Sequence, residues 1–256
     1  MPLGAKSQEP DMPTKKSPEI SVVVPVYNEA ENVEKLVREI HAALSTRNYE
    51  MNFVNDCSSD ETEKVLQGLK NEFPRLRVLS HHKNAGQSRA IRTGVLVAKA
   101  PVIATLDGDG QNDPADIPAL FAQYSRKDAP ENLGLVGGRR AKRQDSWAKR
   151  FGSKFGNGVR KKMLKDNADD TGCGLKVFSR EAFLLLPYFD HIHRYIPALM
   201  LREGFETEFA DVNHRHREFG VSKYTNFGRL MVSIADLRGV MWLNRRSRNP
   251  QGWEEV

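Results

Sequence analysis

The sequence predicts an α/β fold in which helices flank a mostly parallel central sheet. Three observations carry that expectation. The run Ile20-Ser21-Val22-Val23-Val24-Pro25-Val26 is β-branched and almost wholly apolar, the composition of a strand covered on both faces. Strand-like runs then alternate with helix-period runs, as βαβ units do. Finally, polar or acidic clusters follow three of the strands, at the edge where parallel sheets bind ligands.

Residues 1–17 are polar, contain Pro2, Pro10 and Pro13 and show no periodicity, so they read as a disordered tail. After the first strand, Val33, Leu36, Val37, Ile40 and Leu44 recur at helical spacing. Met51 to Asn55 reads as the second strand. Asp60 with Glu63 reads as a helix cap pair, and Val65, Leu66 and Leu69 share the face that follows. Arg77 to Ser80 is a short strand. Residues 86–99 form a helix with Ile91, Val95 and Leu96 inward, and Pro101 to Leu106 is again a strand. Asp113-Pro114 is a cap with proline at the first helical position. Leu133 to Gly137 is a further strand, closed by a Gly137-Gly138 turn.

Downstream the pattern is less regular. It predicts a basic helix over 146–164, a strand over Gly172 to Phe178, a helix over 193–203 and a strand over Glu206 to Val212. A domain over 18–223 is then followed, in 224–256, by an amphipathic helix and a polar tail. In the helix Phe227, Leu230, Met231, Ile234, Leu237 and Met241 share a face. Arg229, Asp236 and Arg238 interrupt it, so no transmembrane span is expected there.

Charge narrows the partners. The chain has 39 Lys or Arg against 33 Asp or Glu, and eleven of the basic residues fall between Arg139 and Lys165 beside a single acid, Asp145. A local basic excess suits a phosphate-bearing partner. No aromatic stacking motif or recognised nucleic-acid fold accompanies it, so nucleic acid is not expected. A dinucleotide oxidoreductase is not expected either, since G-x-G-x-x-G is absent after the first strand. With only Cys57 and Cys173, no disulfide framework or zinc site is expected, and a reducing cytosol is the default compartment. Cys57 reads as a small turn residue and Cys173 as buried beside the sheet.

The sharpest cluster is Asp107-Gly108-Asp109-Gly110-Gln111. Oxygen-bearing side chains at alternate positions can turn towards one point. Mg²⁺ and Mn²⁺ prefer such ligands and share them with substrate phosphates. The intervening glycines remove bulk where a nucleotide would approach the backbone. The histidines look less chemical. His81 and His82 read as surface or strand-end residues. His191/His193 and His214/His216 are i, i+2 pairs, not the i, i+4 pair of a helical zinc site.

The ordered motifs resemble those of family 2 glycosyltransferases, in particular the polyprenyl-phosphate branch that includes dolichol-phosphate mannose synthase. Val24-Pro25-Val26-Tyr27-Asn28-Glu29 is similar to the family's opening signature. Val54-Asn55-Asp56-Cys57-Ser58-Ser59-Asp60 is similar to its second nucleotide-binding loop, except that Asn55 stands where an aspartate is frequent. Asn84-Ala85-Gly86 with Ala90 and Gly94 resembles the next signature, and Asp107-x-Asp109-x-Gln111-x-x-Pro114 the branch's own variant. Asp170-Thr171-Gly172-Cys173-Gly174-Leu175-Lys176 and Arg217-x-x-Gly220-x-Ser222-Lys223 resemble the later motifs.

That resemblance implies a GT-A nucleotide-binding sandwich and an inverting, metal-dependent sugar transfer. The donor would be GDP-mannose or a UDP-sugar, the acceptor a dolichyl- or undecaprenyl-type phosphate, and the product a β-linked glycosyl phosphate lipid. Pro25, Tyr27, Glu29 and Asp56 would hold the donor nucleoside, and Asp107 would contact the nucleotide. Asp109 and Gln111 would hold Mg²⁺ or Mn²⁺ on the diphosphate. Arg217, Ser222 and Lys223 would close over the phosphates. Asp107, Asp109, Gln111 and Arg217 would thus form the catalytic group. Arg139 and Arg143, of the set Arg139, Arg140, Lys142 and Arg143, would meet the acceptor phosphate. Asp170 would either join them or cap Thr171-Gly172.

Two alternatives accompany this reading: a family member acting on a polysaccharide or glycolipid hydroxyl, and a non-catalytic sugar-nucleotide-binding protein. A lipid acceptor further implies a peripheral position at the cytoplasmic face of a membrane. There the last helix, Trp242 and Arg245, Arg246 and Arg248 would meet the surface, with a membrane-spanning partner protein as a further expectation.

Overall fold

The computed structural model describes residues 17–140, 158, 160, 161, 163–166, 168, 170–216, 226–248 and 254, with the backbone alone for 226–232. Seven strands form one sheet in the order β3-β2-β1-β4-β6-β5-β7. The strands are β1 (Ile20–Val26), β2 (Tyr49–Asn55), β3 (Leu76–Ser80), β4 (Val102–Thr105), β5 (Leu133–Arg140), β6 (Lys176–Ser179) and β7 (Glu206–Val212). All neighbours pair parallel except β6, which runs antiparallel between β4 and β5.

Every residue of β1 is buried, as its apolar run demands. Its alternate side chains feed two cores. Ile20, Val22, Val24 and Val26 join a cluster with α1 (Ala30–Leu44), α2 (Thr62–Leu69) and α4 (Ile117–Tyr124). Val23 points into the other, with α3 (Gln87–Val97), α5 (Arg180–Leu185), α6 (Ile196–Arg202) and the last helix, α7 (Asn226–Arg246). Phe178 and Phe183 stack at 5.1 Å in this second core. Each such buried aliphatic or aromatic side chain contributes about 1.5–3 kcal/mol, so the sheet is held from both faces.

Several expectations are corrected in detail. Strand β2 starts two residues early, at Tyr49, because Glu50 is buried in a network rather than marking an edge. Its Oε1 accepts from Ser21 Oγ and Lys99 N, both at 2.6 Å, and its Oε2 from Arg77 Nη1 at 3.1 Å. Burial would raise the Glu50 pKa, but these donors outweigh it and hold the carboxyl below its ordinary range. The stabilisation is therefore present above the unfolded carboxyl's pKa and is lost as pH falls through the lower folded value. Glu50→Gln is expected to cost about 2 kcal/mol at pH 7. In urea melts at pH 7 and pH 4, wild type should lose the greater stability on acidification. Equal losses would refute this role.

Helix α2 begins at Thr62. Asp60 accepts from the Thr62 backbone and hydroxyl, while Glu63 accepts from Asn55 instead of completing a cap pair. Leu96 is exposed, not inward. The predicted helix over 193–203 is a 3₁₀ turn, Ile192–Arg194, followed by α6. The strand expected over 172–178 is confined to Lys176–Ser179. Gly137-Gly138 is not a turn but part of β5. A Cβ on Gly137 would come 2.9 Å from the Phe209 ring, and one on Gly138 would come 2.9 Å from Leu175 O. The bulk of neighbouring strands requires those glycines. Most of the basic segment 146–164 lies outside the described residues, as do residues 1–16.

The C-terminal half of α7 docks on the second core through Leu237, Val240 and Met241. Tyr195 Oη donates to Ser233 O, and His191 Nδ1 lies 3.0 Å from Asp236 Oδ2. Ile234, expected on the apolar face, is exposed, as is Trp242. Among the described residues no helix is long and apolar enough to cross a membrane.

Candidate active site

The sheet topology gathers the chemistry on one edge. The carboxyl ends of β1, β2, β3, β4, β5 and β7 share it. Because β6 is reversed, its entry residue Lys176 lies there too, opposite both Thr105 and Gly137. The loop 170–175 is thereby set beside the Asp107 loop.

The first two strand ends are joined by side chains. Asn28, at φ +54°, receives Ser59 N on its Oδ1 at 2.8 Å and donates its own N–H to Ser58 Oγ at 2.9 Å. Glu29 N donates to Thr62 Oγ1 at 2.9 Å, and its carboxylate accepts from Asn32 at 2.7 Å. Pro25 sits opposite Val54 in β2, one residue after Val24 and beyond the last β4 partner, Val23, so its missing N–H costs that ladder nothing. Tyr27 is exposed beside it.

Asp56 is almost wholly buried at the end of β2. Its Oδ1 accepts from Ala85 N at 2.9 Å and its Oδ2 from Gly86 N at 2.7 Å. His81 Nδ1 lies 2.7 Å from Oδ1. Asn55 is equally buried and serves the loop: its Oδ1 accepts from Ser58 N and its amide donates to Glu63. An uncharged residue suffices for that work.

The loop fixed by Asp56 leads into α3, whose first residue, Gln87, donates to Asp107 Oδ1 at 2.7 Å. The other flank of Asp107 is Gly174, where a Cβ would come within 2.4 Å of the carboxylate. Burial, and next the charge of Asp109, push the Asp107 pKa up to about 6 against the pull of Lys176, Arg140 and Gln87. Asp109 Oδ1 accepts from Gln111 N at 3.2 Å, which folds the turn through Gly110 at φ +71°. Two crowded carboxylates and a neutral amide oxygen fit a hard divalent cation. Among the described residues no three His, Cys, Asp or Glu side chains cluster to hold one, so substrate oxygens would have to complete its shell.

The acceptor-side expectations divide. Arg139 is exposed and donates to Asp211 Oδ1 at 2.6 Å. Asp170 is buried and clasped by Arg140 through two bonds of 2.6 and 2.7 Å. Arg143, Arg217, Ser222 and Lys223 lie outside the described residues.

Five neighbours of these residues were not legible in the sequence. His81 is a strand-end residue, directly after β3, but its role was missed: it sits between Asp56 and Thr93. Gln87 directly follows Asn84-Ala85-Gly86, which was the available signal. Lys176 closes the Asp170 motif and is buried, and burial lowers its pKa against the opposing pull of Cys173, Asp107 and Asp170. Arg215 binds Glu39 and Asp113, and its N–H donates to Gln111 O at 2.9 Å, so it braces the Asp109 turn. His216 lines a small cleft with Asp109 and Gly110. Nothing in the spacing of His214 and His216 announces that position. Cys173 is buried, as expected.

Comparison with known proteins agrees with this architecture. The Glycosyl transferase family 2 profile matches residues 21–186, and the chain belongs to that family. It is 31% identical over 240 residues to a dodecaprenyl-phosphate galacturonate synthase of Rhizobium johnstonii, covering 92% of this chain and 70% of that one. It is 34% identical over 221 residues to an undecaprenyl-phosphate 4-deoxy-4-formamido-L-arabinose transferase of Photorhabdus laumondii, covering 85% and 66%. The chain thus spans about two thirds of these relatives' length. Among solved structures, a Pyrobaculum calidifontis mannosyltransferase in complex with GDP-Man and Mn²⁺ superposes with a TM-score of 0.63 at 18% identity, covering 93% of this chain and 67% of that one. Glucosyl-3-phosphoglycerate synthase of Mycobacterium tuberculosis, in complex with Mn²⁺, UDP and glucosyl-3-phosphoglycerate, gives a TM-score of 0.66 at 15% identity, covering 91% of this chain and 82% of that one. These likenesses establish the GT-A fold.

Proposed function

We propose that the chain transfers a sugar from a nucleotide-sugar donor to a polyprenyl phosphate, with inversion and with a divalent metal. The observation that carries this reading is the meeting, on one sheet edge, of the Asp107/Asp109 pair with the Arg140–Asp170 clasp through β6. One side suits a metal-bound diphosphate and the other an anionic acceptor. The names of the relatives, which are polyprenyl-phosphate sugar transferases, support the acceptor class.

Tyr27 and Asp56 hold the donor nucleoside, Asp107 contacts the nucleotide, and Asp109 and Gln111 hold Mg²⁺ or Mn²⁺. When bound, the cation offsets the charge that builds on the departing diphosphate. The acceptor phosphate is already an anion at neutral pH, so its oxygen attacks the anomeric carbon without a strong base. The carbon–oxygen bond to the nucleoside diphosphate breaks on the opposite face, and the product is β-linked. Arg139 and Arg140 bring guanidinium groups to this side, each balanced by an aspartate, Asp211 and Asp170, so the excess positive charge that two approaching anions require falls to Arg143 and the basic run after it. Arg143, Arg217, Ser222 and Lys223 complete the phosphate grip. Trp242, Arg245 and Arg246, all exposed at the end of α7, bring the enzyme to a cytoplasmic membrane surface.

The test is incubation of the purified chain with a panel of sugar nucleotides, Mn²⁺ and a short polyprenyl phosphate, followed by mass spectrometry and anomeric analysis. A β-linked glycosyl phosphate lipid from one donor, abolished by EDTA, is expected. Retention of configuration, or a preference for a sugar hydroxyl over the lipid phosphate, would refute the proposal.

A further inference from the structure

The nucleoside-binding role proposed for Asp56 leaves the base open, and the wiring of that carboxylate limits the choice. A carboxylate has about four lone-pair sites, two on each oxygen. On Asp56 Oδ1 both are used, by Ala85 N at 2.9 Å and His81 Nδ1 at 2.7 Å. On Oδ2 one is used, by Gly86 N at 2.7 Å. A carboxylate can only accept, so His81 carries its proton on Nδ1. In the neutral ring Nε2 then accepts from the Thr93 hydroxyl, 2.9 Å away in α3. Thr93 therefore holds the ring in the orientation that keeps Oδ1 occupied.

We infer that His81 is a specificity-determining residue, leaving Asp56 one acceptor site and so selecting a base with a single imide N–H, uracil, over guanine. The inference rests on the donor-binding reading given above. Uracil presents one N–H between two carbonyls, which one free site on Oδ2 satisfies. Guanine presents a ring N–H and an amino group side by side, a pair that needs both oxygens of a carboxylate. With Oδ1 filled, the amino group stays unpaired in a nearly buried position. Adenine and cytosine are rejected more simply. Each places a ring-nitrogen acceptor at this edge, against the negative charge. A buried unpaired donor is worth about tenfold or more in affinity.

The experiment is calorimetric titration of the full chain with UDP and with GDP, each with Mn²⁺, for wild type, His81→Ala and His81→Asn. Wild type is expected to bind UDP at least about tenfold more tightly than GDP. His81→Ala frees a site on Oδ1 and is expected to narrow that ratio severalfold. His81→Asn, whose amide can donate where Nδ1 does, is expected to restore it. Thermal melting verifies that each variant is folded. If His81→Ala is not, the wild-type ratio and His81→Asn decide the matter. GDP bound as well as or better than UDP, or an unchanged ratio in a folded His81→Ala, would overturn the inference. A GDP preference together with sugar transfer to lipid phosphate would do so while sparing the proposed reaction. Binding of neither diphosphate would overturn both.

Discussion

Asp109→Asn is expected to lower kcat/KM for sugar transfer on the order of a thousandfold while barely changing the melting temperature. The asparagine oxygen can still accept from Gln111 N, so the turn through Gly110 survives. What disappears is a formal charge beside Asp107 at the point proposed to hold the metal. Loss of one preorganised electrostatic contact to the leaving group costs on the order of 10²–10³ in kcat, and weaker metal binding adds to it. The measurement is initial rate against donor concentration at fixed Mn²⁺, with a thermal melt of the same preparation. Activity within tenfold of wild type would remove Asp109 from the proposed metal site.

Gly174→Ala is expected to be nearly as damaging, although residue 174 carries no functional group. Its Cβ would fall 2.4 Å from the Asp107 carboxylate, well inside van der Waals contact. Neither neighbour yields freely. Asp107 Oδ1 is held by Gln87, and Gly174 O accepts from Thr105 Oγ1 at 2.8 Å. Relieving the overlap costs about 1–3 kcal/mol in stability. The cheapest relief moves Asp107, and a displacement of about 1 Å at a reacting centre can cost 10² in rate. The expected signature is a modest fall in melting temperature with a hundredfold fall in kcat. Wild-type kcat in the variant would mean that the position of Asp107 is not critical.

Much of this candidate site is legible in the sequence because its parts are local. Asp107 and Asp109 lie two residues apart, so their spacing alone sets one carboxylate's charge against the other, and the Gln111 N–H closes the turn on Asp109. The apolar run of β1 and the polar loop after it are likewise properties of a short stretch. The misreadings come from residues whose partners are distant in the chain. Glu50 looked like a strand boundary because Ser21, Arg77 and the Lys99 backbone, which satisfy it, lie 27 to 49 residues away. The work done by His81 at its strand end was hidden for the same reason, since Asp56 lies just after β2 and Thr93 on α3. Gly137-Gly138 looked like a turn because glycine is ambiguous until the strands that crowd it are known.

By itself, then, the sequence determined the α/β alternation, the strand ends that bear acids, and the family. Those follow from side-chain period and local spacing, which are written in consecutive residues. Only the tertiary structure decided how many donors each oxygen of Asp56 accepts, that Asp170 is clasped by Arg140, and that Gly174 presses on Asp107. Each depends on the reversal of β6 or on helix α3 lying across β2. Hydrogen-bond capacity and steric contact belong to pairs of atoms, and the pairing is set by the fold.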